Sequence, residues 1–216
     1  MRITHLGEAL GLPTHGVAGE DALVQATLLR YAERLPVRKA AEALGRTYGL
    51  SMTPATVLDM TDRVAGWLRP EYEGILGRIR AADVVYVDET GVNVDGVRHW
   101  IWVFTTGREI LFAVRKSRGE KVLREVLGEG FGGVVVCDGG RSYPDYTERL
   151  QRCWAHLLRE ARCLAEHVEE AVALSEGLYA LYRCVSVPSG DRPPPGLVGE
   201  ARAGVLRLVG GPFGSE

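Results

Sequence analysis

From residue 21 the apolar positions recur at helical spacing. Leu23, Ala26, Thr27, Leu28 and Tyr31 share most of one face, and Asp21 stands where it would cap the N-terminus. Pro36 then opens a second helix as a first-turn residue, with Val37, Ala40, Ala41 and Leu44 as its apolar stripe and Gly45 and Gly49 loosening its end. Thr53-Pro54 restarts the pattern, the threonine as N-cap and the proline at the first helical position. This third helix carries Val57, Leu58, Met60, Thr61, Val64 and Trp67 and ends before Pro70, and Glu71 to Arg80 reads as a fourth. Residues 1–20 have little periodicity and are expected to form a loose leader.

At Asp83 the period changes from helical to alternating. Val84-Val85-Tyr86-Val87 is a β-branched and aromatic run that stops on Asp88-Glu89-Thr90-Gly91, the signature of a buried strand. Asp95-Gly96 is a hairpin turn signal, Arg98 to Thr106 is rich in strand formers, and Gly107-Arg108-Glu109 turns the chain into a third strand over Ile110 to Val114. Ser117 or Gly119 starts a helix over Glu120 to Leu127 with Val122, Leu123 and Val126 facing inward. Gly132-Gly133 breaks it, and Val134 to Cys137 forms a strand that runs into Asp138-Gly139-Gly140. A short helical segment over Tyr143 to Leu150, a short strand over Gln151 to Cys153 and one long helix from Trp154 to about Leu174 follow. Three strands joined by tight turns, then helix, strand, helix, strand and helix, give a mixed sheet flanked by helices, the ribonuclease H-like arrangement. The expected organisation is a leader (1–20), a helical region (21–80), this α/β core (81–185) and a flexible tail (186–216) in which Pro193-Pro194-Pro195-Gly196 interrupts any packed structure.

The helix pair around the Gly45–Ser51 connection has the outline of a helix-turn-helix, with residues 54–68 as the second helix. Asp59 and Asp62 lie on that helix and Arg63 is its single interior base, so a plain helical bundle competes with DNA contact through this face. Composition adds little. The net charge of −2 gives no whole-chain electrostatic footprint for nucleic acid, although local basic patches remain compatible with one. No apolar run approaches the roughly 18 residues of a membrane span, and no signal peptide is evident. The four cysteines (Cys137, Cys153, Cys163 and Cys184) form neither a CxxC pair nor a dense framework, which fits a reducing compartment.

The candidate chemistry lies at the strand ends. Asp88 and Asp138 each close a strand, and adjacent parallel strands would bring the two carboxylates together, held rigidly by the sheet behind them. Carboxylates favour hard cations, so Mg²⁺ or Mn²⁺ is expected, and a pair of such ions can activate an attacking oxygen and stabilise a leaving one at a phosphodiester. The plainer reading is that both aspartates merely begin loops, as Asp often does. Cys153, His156, Cys163 and His167 suggest zinc, but on one continuous helix Cys153 and His167 would stand about 21 Å apart, too far for one ion. Arg115, Lys116 and Arg118 form a local basic cluster suited to backbone phosphates, or equally to a solvated turn.

Asp88-Glu89-Thr90-Gly91, Arg98 to Thr106, Ser117-Arg118-Gly119, Val136-Cys137-Asp138-Gly139 and Arg152-Cys153-Trp154-Ala155-His156-Leu157-Leu158-Arg159 together resemble the IS66 family of bacterial transposases. Leu35-Pro36-Val37 and Thr53-Pro54-Ala55-Thr56-Val57 resemble the segment that precedes its catalytic core, so the likeness covers roughly residues 20–185. The resemblance implies a DDE transposase that cleaves transposon ends and joins them to target DNA, using Mg²⁺ or Mn²⁺. It also implies a homo-oligomer when active, no membrane role, and work in the cytoplasm on the nucleoid. Asp88 and Asp138 match the first two catalytic acids. The family's third acid, a glutamate in an Asn-Asn-x-Ala-Glu-Arg-type motif, has no counterpart, and no cysteine precedes Cys137 to match the upstream zinc-binding region. Glu160 is the nearest substitute acid. The resulting expectation is a transposase fragment, truncated at both ends and inactive for want of the third acid. The alternatives are a non-catalytic DNA-binding derivative and a ribonuclease H-like nuclease.

Overall fold

The computed structural model describes residues 19–49, 52–186 and 196–209. They fall into two compact units, residues 1–77 and 78–216. In the first, α1 (Glu20–Thr27), α2 (Val37–Tyr48) and α3 (Pro54–Trp67) enclose a small core of Ala22, Leu23, Ala26, Ala40, Ala41, Leu44, Val57 and Met60. α3 starts as expected: the Thr56 amide donates to Thr53 Oγ1 at 3.1 Å and Pro54 opens the helix. Gly49 closes α2 in the left-handed region at φ 65°. The start of α1 departs from expectation, because Gly19 is the N-cap and Asp21 sits inside the first turn among the unpaired amides. Its end departs too. Leu28–Ala32 winds as a π-helical turn, which rotates Leu28 and Tyr31 away from the core into solvent.

α4 (Arg69–Arg80) leads to a five-stranded sheet of order β3-β2-β1-β4-β5, formed by β1 (Val84–Val94), β2 (Val97–Thr105), β3 (Ile110–Arg115), β4 (Val134–Cys137) and β5 (Leu150–Arg152). β1, β2 and β3 run antiparallel, and Asp95 and Gly96, both at positive φ, make the tight turn of the first hairpin. β4 and β5 join in parallel. This is the ribonuclease H-like arrangement the pattern predicts. Strand alternation sends Val85, Val87, Trp102, Phe104, Leu111, Ala113 and Val135 to one buried face. α5 (Lys121–Leu127) contributes Val122, Leu123, Val126 and Leu127 to the same core. Arg80 reaches the end of α5, donating to the Val126 and Glu125 carbonyls at 2.7 and 2.9 Å. Gly133 is required where β4 starts, since a Cβ there would lie 2.5 Å from the Ala82 carbonyl oxygen.

Three expectations change in the second half. Residues 141–146 form turns, and no helix spans Tyr143 to Leu150. The long helix is two, α6 (Trp154–Ala165) and α7 (Ala171–Val185), broken at residues 166–170 and packed on each other. The break leaves two shorter amphipathic helices free to fold back as a hairpin, which buries Leu158, Ala161 and Leu181. Within the segment expected to be a flexible tail, Leu197–Val209 forms α8, which packs against α7. Residues 1–18 of the expected leader and residues 187–195 and 210–216 of that tail lie outside the described residues. No helix is long and apolar enough to cross a membrane among the described residues.

Candidate metal centre

The parallel register of β1 and β4 builds the site. Tyr86 pairs with Val136, so Asp88 and Asp138, each two residues further along, reach the same level. Only Asp138 stands at a strand end, just after β4; β1 does not close at Asp88 as expected but runs on to Val94, because residues 88–94 pair with β2. Asp88, Glu89 and Asp138 each offer an oxygen such that all three lie within 4.8 Å of one another. Sequence reasoning named the two aspartates and missed Glu89. The signal was present in adjacency alone, but alternation assigns Glu89 to the opposite face from Asp88, where Arg118 and Tyr143 hold it.

Glu89 is the buried member, its side chain 2% exposed against 24% for Asp138. Its Oε1 accepts from Arg118 Nε at 2.8 Å and its Oε2 from the Tyr143 hydroxyl at 2.5 Å. Tyr143 is itself fully buried and meets Trp102 edge-on, with ring centres 6.3 Å apart. Trp102 in turn donates from Nε1 to the Ser117 carbonyl at 3.1 Å, so the sheet core holds the loop that carries Arg118. Burial, and then the hydrogen bond and charge of Glu89, push the Tyr143 phenol far above its ordinary range. The Glu89 hydrogen bond raises the Arg118 guanidinium still further, against some desolvation.

The aspartates keep more freedom. Asp88 Oδ1 accepts from the Glu89 amide at 2.9 Å, and Asp138 Oδ1 from the Gly140 amide at 2.7 Å. Asp138 Oδ2 stands 3.9 Å from Arg118. The turn after Asp138 needs Gly139, whose φ of 90° disfavours any side chain and whose missing Cβ makes room for Arg152. Asp88 faces a second environment that sequence reasoning overlooked, a cavity of about 100 Å³ that it shares with Tyr86, Val103, Thr105, Val136, Cys153 and His156. His156 Nδ1 is buried, with no hydrogen-bond partner among the described residues. A thiol and an imidazole therefore share this cavity with Asp88, beside the hard oxygen donors.

Other candidates separate. Glu160 pairs with Arg152 at 2.7 Å on the exposed surface and stands outside the acidic cluster, because α6 directs it to β5 rather than to the sheet end. The Cys153, His156, Cys163 and His167 set does not converge either, since α6 ends at Ala165 and His167 Nδ1 lies 2.8 Å from the Cys163 carbonyl oxygen. Of the basic cluster, Arg115 grips Glu125 with its guanidinium and lowers that carboxyl, Lys116 is exposed, and Arg118 alone joins the acids.

The sequence model of the transposase IS66 family matches residues 15–191. The chain belongs to that family. No curated protein matches it. The matched span takes in both the helical unit and the sheet with its acidic cluster. As donors, the three carboxylates are hard oxygen ligands of the kind Mg²⁺ and Mn²⁺ take.

Proposed function

We propose that this chain carries the DDE-type DNA-processing site of its family, with Asp88 and Asp138 as ligands for Mg²⁺ or Mn²⁺ and transposon-end and target DNA as substrates. The observation that supports it best is the β1–β4 register, which sets the two aspartates side by side with Glu89. Bound there, a hard divalent cation would supply activation of the attacking oxygen and charge stabilisation of the leaving one. The chain's own part is positional. Asp88 projects from within β1 and Asp138 from the residue after β4, both held by the sheet, and each keeps a second oxygen clear of short hydrogen bonds among the described residues. Arg118, set against Glu89 and Asp138, supplies the positive charge that orients a backbone phosphate.

The same geometry supports inactivity of this chain by itself. Glu89 is the third acid within reach, and both of its oxygens are already engaged, one by Arg118 and one by Tyr143. Two free carboxylates hold a divalent ion weakly and leave its coordination to water. That engagement also favours a second reading, a DNA-binding protein derived from a transposase that occupies element ends without cutting them. The acting form is expected to be an oligomer working on chromosomal DNA in the cytoplasm.

The test is divalent-metal-dependent nicking of DNA by the purified chain beside Asp88→Ala. No nicking by either, with Mn²⁺ binding lost in Asp88→Ala, is the expected result. Robust nicking that Asp88→Ala abolishes overturns the inactivity, and Mn²⁺ binding indifferent to that substitution overturns the metal site.

A further inference from the structure

Beside the acidic cluster lies a groove of about 490 Å³ between two loops, one carrying Arg118 and Gly119, the other Gly139 to Ser142. The loops are fastened to each other. The Ser142 hydroxyl donates to the Arg118 carbonyl at 2.7 Å, and the Asp138 carboxylate holds the Gly140 amide. Glu89 forms part of the lining and locks Arg118 in place. The Arg118 guanidinium also lies over the Trp100 ring, 4.6 Å from its centre, so its plane is fixed on two sides. Arg141, exposed on the opposite loop, lines the same groove.

We propose that this groove seats the backbone phosphates of one DNA strand, held between Arg118 and Arg141, immediately beside the metal-binding aspartates. The inference rests on the reading of Asp88 and Asp138 as metal ligands, and it adds a substrate-binding site with a named second residue, Arg141. Three carboxylates (Asp88, Glu89 and Asp138) stand near the guanidiniums of Arg118 and Arg141. Arg98 stacks on the same Trp100 ring as Arg118, and Arg152, itself paired with Glu160, lies against Gly139. The charges at this end of the sheet therefore roughly balance without a cation. One divalent cation at the aspartates makes it positive, so a bound cation strengthens the hold on a phosphate. Fixed loops suit the task, because a guanidinium already held in place loses little freedom on binding.

The experiment measures binding of a fluorescently labelled single-stranded oligonucleotide to the full chain, with the duplex of the same sequence as a second arm, across a salt series with and without Mn²⁺. Mn²⁺ binding is followed separately by electron paramagnetic resonance. Arg141→Ala is the primary variant, since its exposed side chain leaves folding intact. With Mn²⁺ present it is expected to weaken binding severalfold and lower the slope of log affinity against log salt by about 0.7 on the single strand. Arg118→Ala combined with Arg141→Ala roughly doubles the loss of slope, and Arg183→Ala, on a distant helix, leaves it unchanged. An unchanged slope in Arg141→Ala and in the double variant overturns the proposal, as does failure of the wild-type chain to bind either oligonucleotide. Wild-type chain that takes up no Mn²⁺ overturns the metal reading instead, and a loss of slope in the arginine variants still supports the groove. An oligonucleotide affinity independent of Mn²⁺ refutes the charge coupling.

Discussion

The two faces of the sheet use the same kinds of residue to opposite ends. On one, Val85, Val87, Trp102, Phe104, Leu111 and Ala113 are buried. On the other, Tyr86, Ile110, Phe112 and Val114 stay half exposed or more, with Phe112 at 62%. Asp88 and Glu89 are neighbours in sequence that fall on these different faces. Glu89, on the packed side, is buried and tied to Arg118 and Tyr143, while Asp88, on the open side, is free to meet a ligand. Chemically similar acids thus acquire different tasks from the parity of their positions. A carboxylate becomes a scaffold where the core surrounds it and stays open to solvent where it does not.

The strongest way to break this comparison is to empty each face in turn. Trp102→Ala removes a fully buried ring that supports Tyr143, and is expected to cost about 3–5 kcal/mol in urea unfolding. Phe112→Ser on the open face is expected to cost less than about 1 kcal/mol. Equal losses would show that the second face is covered in solution. Next comes the acidic pair itself. Glu89→Ala strands Arg118 and Tyr143 without their acceptor and is expected to cost about 2–4 kcal/mol, while Asp88→Ala leaves stability within about 0.5 kcal/mol and removes Mn²⁺ binding. The comparison fails if Asp88→Ala proves the more destabilising of the two.

A smaller effect distinguishes the packed side by pH. Burial and Glu89 raise the Tyr143 phenol above its unfolded value near 10, so its contribution is complete below about pH 10 and is lost as pH climbs beyond it. The urea midpoint should fall above about pH 10 in the wild type and fall less steeply in Tyr143→Phe. The least effect belongs to the surface. Arg115 lowers the Glu125 carboxyl, which stabilises the fold above the unfolded value near 4.5 and ceases to do so as pH falls. Solvent screening limits this pair to less than about 1 kcal/mol, so acid titration of Arg115→Ala should run close to that of the wild type.

Much of this was legible in the residues. Helix starts with a local chemical cause, such as Thr53-Pro54, appear where they are expected. The Asp95-Gly96 hairpin does too, because a two-residue turn demands positive φ and few sequences supply it. Asp21 and the 143–150 segment misled, since capping and short helices are chosen among close alternatives by the packing around them. The split of one long helix into α6 and α7 has the same origin: an apolar stripe fits a single rod or a hairpin, and the burial of Leu158 and Leu181 favours the hairpin.

The sequence by itself determined the strand run into Asp88, the matching run into Asp138 and the family to which both belong. Those are local patterns, written in period and composition. Tertiary structure alone decided that the acid beside them is Glu89 and not Glu160, and that Arg118 is the base which meets them while Arg115 is spent on Glu125. The reason is physical. Which side chains converge depends on strand register and on where β4 stops, and neither is encoded at any single position.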